Sequence, residues 1–528
     1  MTRSSGASGD REPERRAGLT VPLFSLRSHR DFGIGEIGDL PRLGDWARGV
    51  GFRVLQLLPT FELARGETSP YGARTAFGLD PIYISLRDVP ELDASVIHDA
   101  LGPSGEAELA ALRARKAVDY VAVRAIKERV LGRAFQRFVE REIAHDTPRA
   151  RAFRDFRNEA GAWEDDLSLY VAIRSEREEH GWSTWPAGLR DREPRALQEA
   201  RERLARPILQ HAYAQFVAGE QWAAARRALK ERGVALMGDL PFIVGGESAD
   251  AWAHRHLLRT DVSLGAPPDA YSEEGQDWGL PAYDFARLEQ EGFSWLTART
   301  RRARQLYDLF RIDHVVGYFR QWIKPRGAQK GHFDLPSERV QEARGRAVLT
   351  AMVREAGPGA IVAEDLGVIP HWVRGVMRSL SIPGYRVLPW ERDGDVVRDP
   401  RSFPPLSVAT WSTHDTAPIA LWWREMTPAD RGAITAMMAG SGADVAAHAT
   451  GAALFEAHMR SLFGSGSSLA LALLQEILGE DQRINTPGTV GPENWTTRMA
   501  TPIEALATDV AVARRAKVTS QLLREAKR

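Results

Sequence analysis

Leu309-Phe310-Arg311-Ile312-Asp313-His314-Val315 is the stretch from which the fold is read. Leu309, Phe310 and Ile312 are strand-forming apolar residues, yet Arg311 and Asp313 stand among them two positions apart. In an extended chain residues i and i+2 project to the same side, so this guanidinium and carboxylate share one face of the pleat. A short buried strand that ends in charge has two readings. Either an ion pair closes the strand structurally, or the charges belong to a site at the C-terminal end of a parallel strand, where (β/α)8 barrels carry their chemistry.

Seven further runs of strand length flank this one: Val54 to Pro59, Pro81 to Leu86 and Val234 to Asp239 before it, and Ala360 to Asp365, Tyr385 to Pro389, Val408 to Thr413 and Ala470 to Gln475 after it. Helical patterns lie between most of them, beginning with an amphipathic helix over 40–50. Eight strands alternating with helices predict an α/β fold, a (β/α)8 TIM barrel. From about 91 to 231 the pattern is helical throughout. Ile126, Val130, Ala134 and Phe138 recur every four residues, opposite Arg124, Lys127, Glu128 and Arg129. The predicted organisation is a disordered tail over 1–18, a barrel over 19–506 with a large helical insertion at 91–231 and further loop subdomains, and a C-terminal helix over 507–528.

Composition narrows the function. The 528 residues carry 70 basic and 70 acidic side chains, a formal net charge of zero, which gives no electrostatic footprint for nucleic acid or an anionic membrane. A neutral substrate fits better. Without cysteine there are no disulfides, thiolate metal sites or cysteine nucleophiles. The Ser-, Gly- and Arg-rich N-terminus lacks the apolar core of a signal peptide, and no apolar run approaches the roughly 20 residues that span a bilayer, so a cytoplasmic location is expected. Of 15 tryptophans, several stand beside Gly, Pro or Asp, which suits either sugar faces or ordinary packing.

The strand ends share a chemistry. The third closes on Asp239, the fourth on Asp313, the fifth on Glu364 and the seventh on His414-Asp415. One acid after a strand is equally a helix cap; four, with Arg311 and His414, would converge on one face of a barrel. Carboxylates around a neutral polyhydroxylated substrate are the parts for cleaving a glycosidic bond, one protonating the leaving oxygen and another attacking the anomeric carbon or activating water. No G-x-S-x-G follows a strand and there is no phosphate-binding P-loop. A divalent-cation site built from Asp239, Asp313, Glu364, Asp415 and His414 is the rival reading.

Phe310-Arg311-Ile312-Asp313-His314, Ala363-Glu364-Asp365-Leu366-Gly367 and Thr413-His414-Asp415 resemble the catalytic blocks of glycoside hydrolase family 77, the 4-alpha-glucanotransferases known as amylomaltases or disproportionating enzymes. Further blocks follow in family order: Ser69-Pro70-Tyr71, Gly238-Asp239-Leu240-Pro241, Ser248 to Trp252, Gly265 to Asp269, Gly275 to Pro281, and Asn485-Thr486-Pro487-Gly488-Thr489 before Asn494-Trp495. The resemblance covers about 19–506. It implies transfer of alpha-1,4-glucan segments between maltooligosaccharides through a covalent glycosyl-enzyme, with no cofactor and no metal. Asp313 would be the nucleophile and Glu364 the acid, then base. Asp415 and His414 would hold the sugar at the cleaved bond, Arg311 would orient Asp313 and keep it ionised, and Asp239 would support the site. Tyr71, Trp278 and Asp269 would line the glucan groove. The chain departs from the family pattern at Thr416-Ala417-Pro418, at Asp80 where Asn is common, and at Thr75 where Ser is usual. A hydrolase using the same residues and a glucan-binding module without activity are the alternatives.

Overall fold

The computed structural model describes residues 14–268, 275–443, 445–446 and 448–528. Eight parallel strands close into a barrel: β1 Arg16–Val21, β2 Val54–Leu57, β3 Ala235–Leu240, β4 Leu309–Ile312, β5 Ile361–Ala363, β6 Gly384–Val387, β7 Ser407–Thr410 and β8 Leu469–Leu473, with β1 bonded to both β2 and β8. Their near-continuous apolar sequences follow from burial on both faces, the inner face against the barrel axis and the outer against helices.

One of the eight expected strands is corrected, and one strand not expected takes its place. Pro81–Tyr83 is a turn of 3-10 helix, because Pro81 fixes its first φ and the Asp80 carboxylate accepts from the Ile82 N–H at 3.0 Å as a cap. The eighth strand is instead Arg16–Val21, which takes residues assigned by sequence to the tail; residues 1–13 lie outside the described part. Arg15 and Arg16 disguise this strand, and its apolar residues, from Ala17 to Val21, are buried.

The segment between β2 and β3 is built from helices, the longest being Ala94–Ala114, Tyr120–Arg141, Ala162–Glu176 and Ala205–Glu231. The last of these packs against Leu40–Val50, Ser294–Leu306 and β3, which makes it a barrel helix as well as the end of the insertion. A four-stranded antiparallel sheet, with strands at Leu258–Ala266, Gln276–Tyr283, Trp322–Pro325 and His332–Phe333, rises from the loops after β3 and β4. At the C-terminal end Val510–Glu525 packs beside Leu40–Val50 and Gly451–Gly464. Among the described residues, no helix is long and apolar enough to cross a membrane.

The barrel interior changes character along its axis. Val54, Met237, Leu309, Val362, Val408 and Leu469 form an apolar floor. Two residues further along β2, β3 and β4, the same inward face carries Gln56, Asp239 and Arg311. The polar site therefore stands on a dry base, where charges interact strongly.

Candidate active site

Strand register builds the site. Asp239 lies directly opposite Arg311 across the β3–β4 ladder, and Ile312 opposite Ala363 across β4–β5. The next residues along β4 and β5, Asp313 and Glu364, consequently leave neighbouring strands side by side at the barrel mouth. The guanidinium of Arg311 is shared. Its Nη1 donates to both oxygens of Asp239, at 2.7 and 2.8 Å, and its Nη2 lies 2.7 Å from Asp313 Oδ1. Asp239 is fully buried, whereas the Asp313 side chain is 25 % exposed and faces the opening. Burial works against the Arg311 charge, but Asp239 and Asp313 outweigh it and hold this guanidinium protonated, well above its ordinary range.

Glu364 has a different environment. The N–H groups of His314 and Leu366 donate to its two oxygens at 2.9 and 2.6 Å. Burial nonetheless pushes its carboxyl up to about 7; Arg311 pulls it down, and the like charge of Asp313 pushes it further up. The His314 N–H is aimed by a left-handed backbone at that residue, φ 47°. Asp365 anchors the base of this loop, accepting from Tyr385 N–H at 2.7 Å and Arg374 Nε at 2.8 Å. A Cβ on Gly384 would stand 2.5 Å from the Asp365 carboxylate, so this position requires glycine.

A second line of contacts joins β3 to the loop after β7. The Tyr71 hydroxyl donates to Asp239 at 2.8 Å and lies 3.0 Å from His414 Nε2, with the two rings stacked at 5.2 Å. His414 Nε2 lies 3.2 Å from Asp415 Oδ2, and Asn485 Nδ2 donates to Asp415 Oδ1 at 2.7 Å. Burial alone would raise Asp415; His414 and Asn485 reverse this and hold it at about 2. Burial also disfavours the His414 cation, but Asp415 more than offsets that and raises the imidazole above its ordinary value.

Asp239, Arg311, Asp313, Tyr71, His414 and Asp415 thus form one bonded chain, with Glu364 on the adjoining strand. Trp278 joins at one remove, its ring edge-on to His314 at 4.9 Å. Asp269 lies outside the described residues. Residues given no role from sequence also contribute: Asn485, Trp495, whose ring lies 5.8 Å from both Tyr71 and His414, and Tyr385, whose ring faces Arg311 at 5.8 Å. Asn485 and Trp495 do stand in the sequence blocks quoted above; Tyr385 carried no signal beyond being a strand residue. As for the rival cation site, Arg311 already places a positive charge between Asp239 and Asp313. Among the described residues, no three His, Asp or Glu side chains are grouped to hold an ion.

A family model described as 4-alpha-glucanotransferase matches residues 21–504. The chain belongs to this family. A 4-alpha-glucanotransferase of Thermus thermophilus is 31 % identical over 504 residues, covering 92 % of this chain and 95 % of that protein. One from Chlamydia pneumoniae is 30 % identical over 503 residues, 93 % and 92 % of the two chains. Among solved structures, amylomaltase from Corynebacterium glutamicum superposes with a TM-score of 0.80 at 25 % identity, over 96 % of this chain and 75 % of that one. The fold is also that of the Streptococcus agalactiae amylomaltase solved in complex with acarbose, with a TM-score of 0.83 at 22 % identity over 98 % and 100 % of the chains. The chain is an enzyme of the 4-alpha-glucanotransferase class, acting on alpha-1,4-glucans.

Proposed function

We propose that the enzyme transfers alpha-1,4-glucan segments between maltooligosaccharides by a retaining double displacement. Asp313 attacks the anomeric carbon while Glu364 protonates the departing glycosidic oxygen. The reducing-end fragment leaves, and Asp313 carries the glycosyl group as an ester. Glu364, now a carboxylate, takes the proton of an incoming sugar hydroxyl, whose oxygen displaces Asp313 and restores the original configuration.

The observation that carries this reading is the contrast between two adjacent carboxyls. Asp313 is paired with a permanent cation at 2.7 Å, while burial brings Glu364 to about 7, so it can give a proton and recover it at neutral pH. Asp415, held at about 2, would be charged beneath the sugar as positive charge develops at the anomeric carbon. His414 would donate to the same sugar, and Asp239 would fix Arg311. Tyr71, Trp278 and Asp269 would contact the glucan. A protein of zero net charge suits a neutral polymer such as glycogen or starch dextrins, and we place its action in the cytoplasm.

Incubation with maltotriose tests the reading. Glucose with maltopentaose and longer chains is the expected product set. Maltose and glucose alone would mean that water, not a sugar, resolves the intermediate. Trapping with a 2-fluoro glycosyl donor and mass spectrometry should place the adduct on Asp313; an unlabelled Asp313 with label elsewhere would overturn its assignment.

A further inference from the structure

Trp495 sits in the loop after β8 with a left-handed backbone, φ 63°. A bulky L-residue rarely adopts this conformation, which is strained and persists only where the surroundings over-determine it. Here they do. The Trp495 N–H donates to Ile484 O at 2.8 Å, and its carbonyl accepts from the Tyr120 hydroxyl at 2.8 Å. Val118 N–H donates to Thr496 O at 2.7 Å, Arg498 N–H donates to Lys116 O at 3.1 Å, and Ala117 bridges Thr497 in antiparallel fashion. All of 116–120 belongs to the junction between the first two long helices of the insertion, Ala94–Ala114 and Tyr120–Arg141. The helical insertion therefore grips the backbone from the Trp495 carbonyl to Arg498, while Ile484 holds the Trp495 N–H.

The indole is buried, 7 % exposed, and turned toward the site. It lies 5.8 Å from the Tyr71 ring and 5.8 Å from the His414 ring, closing the stack that those two form. Through that stack run the Tyr71–Asp239 bond and the His414–Asp415 contact. A small lateral shift of either ring would break a contact whose geometry is fixed to a few tenths of an ångström.

We propose that Trp495 is a positioning residue for the transfer reaction, held in its strained backbone by the helical insertion so that its indole sets the Tyr71–His414 stack. The inference rests on the reading in which His414 and Asp415 hold the sugar at the cleaved bond. It gives the insertion a task at the active site, exerted through Tyr120 and 116–118.

The test uses the full chain with Trp495→Gly, Trp495→Phe and Tyr120→Phe, measuring kcat and KM for maltotriose per folded molecule, with near-UV circular dichroism and Tm recorded for each. Glycine relieves the backbone strain but removes the ring. Misplacing groups by about an ångström can cost about 10²-fold in rate, so Trp495→Gly is expected to lower kcat at least about tenfold while KM stays within about threefold. Trp495→Phe, which retains an aromatic contact, should recover most of that loss. Tyr120→Phe leaves every ring in place and frees only the Trp495 carbonyl, and it should fall between. Wild-type kcat in Trp495→Gly, a Trp495→Phe as slow as Trp495→Gly, or a loss confined to KM would each overturn the proposal. Asp415→Asn, run alongside, tests the underlying reading separately: unchanged turnover there removes Asp415 from the chemistry, whereas unchanged turnover in Trp495→Gly removes only the positioning role.

Discussion

Arg311 Nη2 stands 2.7 Å from Asp313 Oδ1 while the other terminal nitrogen of the same guanidinium is bound by both oxygens of buried Asp239. The planar fork makes this double engagement possible, because its donors diverge at fixed angles. Asp239 is thereby neutralised inside the barrel, and the carboxylate at the mouth is given a fixed orientation.

Arg311→Lys should be severe, although charge is conserved. One ammonium can serve Asp239 or Asp313 but not hold both in plane. We expect kcat/KM for maltotriose to fall by about 10²-fold or more. The Tm should drop as well, since Asp239 is left buried with a poorer partner. Steady-state kinetics and differential scanning calorimetry check the two effects; wild-type kcat/KM would show that orientation by Arg311 does not matter to turnover.

The position of Glu364 at about 7 sets a pH dependence. As the acid it must be protonated, so kcat/KM should decline with unit slope above about pH 7. Glu364→Gln should abolish transfer from maltotriose yet still release fluoride from an alpha-glycosyl fluoride, whose departure needs no proton. The sign for stability follows from the same shift. A carboxyl raised in the folded state stabilises fully below its ordinary value of 4.5, and that contribution is lost as pH rises through about 7. Relative to wild type, Glu364→Gln should therefore be more stable at pH 8 than at pH 4, read as the difference in Tm.

The strand ends were legible because charge inside an apolar run is conspicuous: Asp239, Arg311, Asp313 and Glu364 each interrupt or close such a run, and register then pairs Asp239 with Arg311. Leu40–Val50 was equally plain from its amphipathic period. β1 was hidden because its apolar residues follow two arginines at the edge of a polar segment. Pro81–Tyr83 has the composition of a strand, and a hydrophobic run says nothing of the cap that turns it. The link from Asn485 to Asp415, or from Tyr120 to Trp495, joins residues tens to hundreds of positions apart. Side-chain contacts at such separation leave no periodicity for a sequence to show.

Asn485 offers a test of Asp415. Its amide donates at 2.7 Å to a carboxylate held at about 2. Asn485→Ala removes that bond, worth about 1 kcal/mol, and should slow transfer up to about tenfold. Asn485→Asp places a second acid against the first, so the pair must share a proton and their titration moves upward. The acid limb of the rate profile should shift toward neutral pH in both variants, and further in Asn485→Asp, where a like charge is added as well as the donor lost. Identical profiles for the two variants would mean that Asp415 is not held charged through this contact.

Asp80 supplies the last prediction, and it concerns a position where the family resemblance marks Asn as the commoner residue. Here the carboxylate is fully buried and receives both terminal nitrogens of Arg124, at 3.1 and 2.9 Å. It also accepts from the N–H groups of Leu63 and Ile82 at 3.0 Å each. Arg124, from the helix Tyr120–Arg141, is itself buried. Reverting Asp80 to Asn keeps the shape and one acceptor oxygen but leaves a guanidinium charge in the interior without its counter-ion. Removing one member of a buried pair costs about 3–5 kcal/mol, so Asp80→Asn should lower the stability by about that amount. The double variant Asp80→Asn with Arg124→Met removes both charges and should regain much of the loss. Urea denaturation of the wild type, both single variants and the double variant gives the coupling energy directly, and additive effects would show that the pair does not hold the insertion to the barrel loop.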